Sequence, residues 1–187
     1  MVKLFTITCP TCSGADDTSL CVECGGSGKI PARPFSTVSE MNEKIIEFHN
    51  RVVGKSDHSW CLGDVVMGRN AHDGHQMAAI VKRLQGKRRL ILGNHDQLAP
   101  KFYAEAFEKV RGASRIDNLI FTHIPIAIES IPVGCVNVHG HTHTQCLKGP
   151  YINVSLEVIN YIPRSLEELR GLAETVRTLH PQWDTHS

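Results

Sequence analysis

Short apolar runs, separated by polar and glycine-rich stretches, divide the chain into two kinds of element. Runs of about four to eight residues rich in β-branched and aromatic side chains predict strands, whereas apolar residues recurring every three or four positions predict helices. The predicted strands are residues 2–8, 58–62, 89–92, 118–121, 133–138, 151–154 and 158–161. The predicted helices are about 37–53, 73–86, 100–111 and 165–179. This alternation of strands and helices predicts an α/β fold.

Side chains that cap helices mark where three of these helices begin. Thr37 with Glu40, and Ser165 with Glu168, have the spacing of a capping box. Asp73 precedes apolar residues at helical spacing, and we expect its side chain to cap the second helix.

Residues that can bind metal ions follow four successive strands. Asp64 comes after Gly63, Asn94 after the third strand and His123 after the fourth, and His141 and His143 belong to a G-H-T-H sequence. The crevice of an open α/β sheet lies outside the carboxyl ends of its strands, so we expect these side chains to meet there. Each has a structural explanation alone, as a turn residue or a packed histidine, but their joint placement favours a metal site. One carboxylate, one amide oxygen and three imidazoles suit iron, manganese, zinc or nickel.

Four cysteines near the N-terminus form two CxxC pairs, Cys9 with Cys12 and Cys21 with Cys24. Two such pairs on glycine-rich turns predict a structural zinc site, and the alternative is a redox-active pair. The pairs and their glycines are similar to the CxxCxGxG repeats of the zinc domain of J-domain chaperones. That likeness covers about twenty residues, so it implies only a zinc-binding insertion at residues 9–28.

Composition narrows the class of protein without indicating its activity. Hydrophobic residues make up 41% and charged residues 21% of 187 residues, which is typical of one globular domain spanning 1–187. A net charge of +1 gives no overall attraction to nucleic acid or membrane. The N-terminal apolar run is too short for a secretory signal and no run could span a membrane, so we expect a cytoplasmic protein.

The ordered motifs resemble those of a known enzyme family. G-D at 63–64, G-N-H-D at 93–96, the lone His123 and G-H-T-H at 140–143 are similar to the signature of the calcineurin-like metallophosphoesterases. The likeness runs from about residue 33 to residue 172. Residues 34–35, 41–43 and 153–155 resemble a small phage and bacterial subfamily. The resemblance implies a β-sandwich flanked by helices, with a two-metal site that hydrolyses phosphate esters.

The same resemblance implies a role for each matched residue. Asp64 would bridge two metals, Asn94, His123 and His141 would complete one of them, and His143 would bind the other.

The two residues that follow Asn94 are the implied catalytic pair. His95 would bind or protonate the leaving oxygen, and Asp96 would orient its ring. This assignment agrees with the chemistry, because a leaving alkoxide needs a proton and metals activate the attacking water.

One motif of the family is missing. The family's first strand ends in D-x-H, and here Cys9 and Thr11 stand at those positions, which leaves the second metal with Asp64 and His143. The second metal could be weak or absent, or Cys9 or Cys12 could bind it. Other side chains could also replace the missing ligands, namely Asp16, Asp17, His72 and His75.

We therefore expect a phosphoesterase acting on mono- or diesters, with nucleotides or related compounds as the favoured substrates. The alternative is a nucleic-acid-binding or adaptor protein with a partly degenerate site, which the zinc loop and the basic residues at 82–83 and 87–89 motivate. Intact His95 and Asp96 favour the enzyme.

Overall fold

The computed structural model describes residues 2–5, 34–179 and 181. Its strands are β1 (Val2–Phe5), β2 (His58–Cys61), β3 (Lys87–Ile91), β4 (Lys109–Arg111), β5 (Ala113–Ile116), β6 (Leu119–Thr122), β7 (Val136–His139), β8 (Tyr151–Asn153) and β9 (Arg164–Ser165). Its helices are α1 (Val38–Val52), α2 (Ala71–Val81), α3 (Pro100–Ala106) and α4 (Leu166–Leu179), with a 3-10 turn at Ile128–Ser130. The predicted α/β class is therefore confirmed.

The strands form two sheets. The first has the order β4-β3-β2-β1-β9, in which β1 to β4 run parallel and β9 is antiparallel. The second has the order β5-β6-β7-β8, in which β6, β7 and β8 run parallel. Gly112 is the only residue between β4 and β5, so the chain passes from one sheet to the other in a single step.

One hydrophobic core joins the sheets and the helices. Leu90 and Ile91 of β3 are fully buried in the same cluster as Phe121 of β6 and Val138 of β7. Helices α1, α2 and α3 contribute buried side chains to this cluster, and α4 adds Leu169 and Ala173. Helices therefore flank a pair of sheets whose inner faces share one interior.

Helix capping follows the sequence at two helices and departs from it at a third. Ser165 and Glu168 form the expected reciprocal box, and Thr37 accepts the Glu40 N–H. The second helix begins earlier than predicted. Asn70 is its N-cap, and Asp73, the third residue of the helix, is the partner of Asn70 in a capping box. The prediction that Asp73 is the N-cap of this helix was therefore wrong by three residues.

Three other predicted elements were wrong in extent or type. The helix predicted at 100–111 ends at Ala106, and its last three residues form β4 instead. Residues 158–161 form turns rather than a strand, and the run at 133–138 becomes a strand only from Val136 to His139. Two short strands, β5 and β9, were not predicted.

Candidate metal centre

The carboxyl ends of four strands bring the predicted ligands together. β2 and β3 of the first sheet lead to Asp64 and Asn94, and β6 and β7 of the second lead to His123 and His141. One ligand atom each of Asp64, His123 and His141 lies within 4.8 Å of the others. The Asn94 Oδ1 atom lies 3.0 Å from His123 Nε2. These three residues form a candidate metal-binding triad, with the Asn94 oxygen beside it.

Asp64 is the buried anion of this centre. It is only 8% exposed. Burial raises the pKa of its carboxyl, but the hydrogen bond and charge of His123 and the backbone N–H of His95 outweigh that effect and lower it. The carboxylate is therefore held ionised, with Oδ2 3.0 Å from His123 Nε2 and Oδ1 3.0 Å from the His95 nitrogen.

The ring of His123 is oriented so that one nitrogen faces the ligand cluster. Its Nδ1 lies 2.6 Å from the Leu62 carbonyl oxygen, which can only accept, so Nδ1 carries a proton. Its Nε2 then faces the carboxylate of Asp64 and needs a positive partner, either a second proton or a cation. Burial lowers the pKa of His123, but Asp64 raises it further, so the net shift is upward. A metal ion at this point would replace the proton that the Asp64 charge favours.

The spacing of these atoms fits a metal ion. Ligand atoms about 2.1 Å from an octahedral ion lie about 3.0 Å from each other. The distances from His123 Nε2 to Asp64 Oδ2 and to Asn94 Oδ1 are both 3.0 Å. A mixed set of nitrogen and oxygen ligands accepts several transition metals, so it does not select one of them.

Asp96 ties the two loops of the first sheet together. Its Oδ2 accepts the N–H groups of Asp64 and Gly93, each at 2.8 Å, and its Oδ1 accepts that of Val65 at 2.9 Å. Burial, with the nearby Asp64 charge, raises the pKa of Asp96 to about 6, although these backbone bonds oppose the shift. The sequence had suggested that Asp96 orients His95, and that role stays a prediction. Sequence reasoning missed the backbone role, although its three-residue spacing from Gly93 was a signal for a side-chain-to-backbone turn.

Two glycines allow those loops to approach each other. A Cβ atom on Gly63 would lie 2.6 Å from both the Gly93 nitrogen and His123 Nδ1. A Cβ atom on Gly93 would lie 2.1 Å from Asp64 Oδ1. Neither position has room for a side chain, because the backbone of one loop packs directly against the other loop.

The G-H-T-H loop presents its histidines from a left-handed backbone. His141 has φ 65° and His143 has φ 48°, and Asp64 has φ 55°. Non-glycine residues rarely adopt this region, and the surrounding structure must offset a cost of about 1–3 kcal/mol for each. Half of the six left-handed non-glycine residues in the described part of the chain are thus predicted ligands. This clustering is typical of functional sites.

The two histidines of this loop and His139 at the end of β7 differ in their surroundings. The His141 ring lies 5.1 Å from the His123 ring, and partial burial of the imidazole, followed by the His123 charge, lowers its pKa. His143 lies outside the triad, with Nδ1 3.4 Å from Glu157 Oε1. His139 is fully buried, packs against the Tyr151 ring and has its Nδ1 2.8 Å from the Gly140 oxygen.

Several predicted ligands for the missing D-x-H motif lie elsewhere or outside the described residues. His72 and His75 are exposed on α2, and the one metal-binding group found among the described residues includes neither. The predicted zinc site at Cys9, Cys12, Cys21 and Cys24 lies outside the described residues, as do Thr11, Asp16 and Asp17. The structural zinc and the cysteine alternative for the second metal therefore stay predictions.

The basic cluster that suggested nucleic-acid binding is largely paired within the protein. Arg83 forms a bidentate pair with Glu43 at 2.6 Å, and Lys82 lies 2.5 Å from Glu105. Arg88 donates to backbone carbonyls, and Arg89 lies over the Trp60 ring. The carboxylates of Glu43 and Glu105 therefore offset two of the five positive charges of this cluster.

Within the described part of the chain, none of the helices has the length and apolar character needed to cross a membrane.

The chain is similar to proteins from an archaeon, a phage and a bacterium. The chain is 32% identical over 159 residues to an uncharacterized protein of Methanocaldococcus jannaschii, covering 79% of this chain and 85% of that protein. It is 28% identical over 147 residues to the Gene 66 protein of Mycobacterium phage L5, covering 62% and 70% respectively. No protein-family model matches the chain. A crystal structure of a protein of unknown function from Aquifex aeolicus superposes with a TM-score of 0.60 at 20% identity, covering 92% of this chain and 100% of that one, which indicates a shared fold.

Proposed function

The chain belongs to the same family as the uncharacterized Methanocaldococcus jannaschii protein, and we propose that it is a metal-dependent phosphoesterase. The proposed substrates are phosphate mono- or diesters, with nucleotide-type compounds favoured. The proposed fold is of the calcineurin-like type, which two facing sheets with flanking helices support.

The observation that carries this proposal is the convergence of Asp64, Asn94, His123 and His141. They come from four different strands, yet their ligand atoms lie at spacings that suit a metal ion. The donor set also fits a hydrolytic metal site, because it combines one carboxylate with neutral oxygen and nitrogen donors. Manganese, iron, nickel or zinc would be held by these side chains, and His143 with Asp64 would supply two ligands toward a second ion.

When bound, such an ion lowers the pKa of a coordinated water toward ~7 and withdraws charge from the phosphoryl oxygens. The protein supplies the placement of the groups around it. Asp64 stays ionised because His123 and the His95 N–H hold it so. The His123 ring stays in one orientation because the Leu62 carbonyl binds its Nδ1.

We propose that His95 serves the leaving group. Its backbone N–H donates to Asp64 Oδ1, which fixes the chain beside the ligand cluster, and its side chain is partly exposed. An imidazole there can give a proton to the leaving alkoxide, a step that is typically worth ~100- to 10,000-fold in rate.

The test is turnover of bis-p-nitrophenyl phosphate with added Mn²⁺, measured alongside metal content. Asp64→Asn and His141→Ala should lose metal and turnover while keeping the circular dichroism spectrum of the wild type. Glu167→Gln, on the exposed surface of α4, is the matched control and should behave as wild type. Unchanged Mn²⁺-dependent turnover in Asp64→Asn would exclude this site as the catalytic one.

A further inference from the structure

The side chain of Asn153, at the end of β8, forms hydrogen bonds to several groups in and just after the G-H-T-H loop. Its Nδ2 lies 2.6 Å from the His143 carbonyl oxygen, 3.1 Å from Thr142 Oγ1 and 3.1 Å from the Gln145 carbonyl oxygen. Its Oδ1 accepts the Ser155 N–H at 2.8 Å. Because an oxygen must face that N–H, the amide can direct only its donor end toward the loop.

Glu157, a few residues further along the chain, faces the ring of the same histidine. Its Oε1 lies 3.4 Å from His143 Nδ1, and its side chain is only 9% exposed, compared with 21% for His143. A carboxylate in this position accepts a hydrogen bond from the Nδ1–H group, so the proton stays on Nδ1 and the lone pair is on Nε2. Carboxylates that bind the distal nitrogen of a metal-binding histidine fix both the tautomer and the orientation of the ring.

His143 needs such support more than His123 does. His123 is buried, whereas His143 lies on a loop beyond the strand end and has a left-handed backbone with φ 48°. The carbonyl of this residue is the group that Asn153 binds most closely. The three contacts from one amide therefore oppose relaxation of the strained backbone toward an extended conformation.

We propose that Asn153 and Glu157 are positioning residues for His143, with Asn153 fixing its backbone and Glu157 placing the proton on Nδ1. Nε2 would then be the atom available to hold the second metal of the proposed phosphoesterase, and in this respect the inference rests on the proposed function. The N-V-S sequence at 153–155 thereby gains a physical role as a support for the G-H-T-H loop. A site that lacks D-x-H depends more heavily on the ligands that remain.

The test begins with the metal-free protein, where neither turnover nor bound metal is needed. Long-range ¹H–¹⁵N spectra assign the tautomer of His143. We expect the Nδ1–H form in the wild type, a shift toward the Nε2–H form in Glu157→Leu, and retention of Nδ1–H in Glu157→Gln, whose amide oxygen can still accept. Glu167→Leu, on the exposed surface of α4, is the control and should not change the His143 signals.

Metal titration then measures the consequence. Glu157→Leu and Asn153→Asp should weaken binding of the second equivalent of Mn²⁺ about 10- to 100-fold and leave the first equivalent unchanged. Asn153→Asp should also raise amide exchange at residues 142–145, because it removes both donors.

An Nε2–H tautomer in the wild type, or a tautomer that Glu157→Leu does not change, would overturn the inference. Equal weakening of both metal equivalents would also overturn it, since a general loss of structure predicts that result. If the tautomer depends on Glu157 but no phosphate ester is hydrolysed, the positioning role stands and the proposed activity fails.

Discussion

The two sheets contribute different chemistry to the metal centre. The strand ends of the first sheet carry the predicted oxygen ligands, Asp64 and Asn94, and those of the second carry the predicted imidazole ligands, His123, His141 and His143. The sheets also hold these ligands differently. In the first sheet the Asp96 carboxylate accepts the backbone N–H groups of Asp64 and Gly93. In the second sheet the Leu62 carbonyl faces a ring nitrogen of His123, and the Glu157 carboxylate faces one of His143.

This difference shows that neither sheet forms a site alone. Asp64 stays ionised because a histidine of the other sheet lies 3.0 Å away, and that histidine is oriented by the Leu62 carbonyl, which follows β2 of the first sheet. The centre is therefore a property of the packing between the sheets. Disturbing that packing should affect the ligands even where every ligand residue is intact.

The largest effect should come from adding a side chain at the point where the loops that follow β2 and β3 contact each other. In Gly93→Ala the new methyl group would lie 2.1 Å from Asp64 Oδ1 and 2.4 Å from the Asp64 nitrogen, so the loops must separate. We expect a loss of about 3 kcal/mol in unfolding free energy, together with loss of metal binding. Urea denaturation and Mn²⁺ titration measure both.

Gly171→Ala is the matched control. Gly171 lies in α4, and a Cβ atom there would meet nothing within 4 Å. Alanine favours a helix more than glycine, so this variant should gain up to about 1 kcal/mol and keep its metal. Equal destabilisation by both variants would contradict the special role given to Gly93.

Metal binding should strengthen the contact between the sheets. An ion bound to ligands from both sheets stabilises only the folded state, and at about 100 times its Kd it should add about 2.7 kcal/mol. For a chain of this size, that corresponds to a rise in Tm of about 5–10 °C. Differential scanning calorimetry with Mn²⁺ and with chelator measures the rise, and Asp64→Asn should abolish it. If the Tm of the wild type is the same with Mn²⁺ and with chelator, no ion links the sheets.

A smaller effect should arise at α1, away from both sets of ligands. Burial of His49 lowers its pKa to about 4, with the nearby Asn50 side chain opposing the shift. Between the unfolded value of about 6.5 and this folded value, only the unfolded chain takes up the proton, so stability falls as the pH falls. The share of His49 should be about 1–2 kcal/mol between pH 7 and pH 5.

The pH dependence of the unfolding free energy must be compared between the wild type and His49→Leu, both metal-free. Asp96 acts in the opposite direction, because burial raises its pKa to about 6 and the folded state then binds the extra proton. Subtracting the two pH profiles isolates the His49 contribution, while His72→Gln on the exposed face of α2 serves as the control. Parallel profiles for wild type and His49→Leu would show that His49 is not the group responsible.

The ligand-bearing strand ends were the most predictable part of the molecule. β2, β3 and β6 are short strands whose last two residues are buried, and each is followed within three residues by a predicted ligand, a pattern that is local in the sequence. The division into two sheets could not be predicted, because it depends on pairing between strands that are distant in the sequence. Lys109–Arg111 continues the polar and apolar spacing of α3, and only its pairing with β3 makes it a strand.

The supporting residues were harder to find than the ligands. Asp96 and Asn153 act on backbone groups of other loops, and these contacts arise only after the chain has folded. Glu157 directly precedes residues 158–161, which were predicted as a strand, although the chain forms turns there. Tertiary contacts decide such positions, and neither propensity nor spacing records them.

The left-handed backbone at Asp64, His141 and His143 also limits how the site can evolve. Besides glycine, the residues that most readily adopt this conformation are asparagine, aspartate and histidine, and all three can bind metals. Substitutions among asparagine, aspartate and histidine would change the charge of the site and the hardness of its ligand atoms at little conformational cost. Cysteine or a β-branched residue would have to overcome backbone strain first. Natural drift in metal preference should therefore proceed through oxygen and imidazole ligands rather than through thiolates.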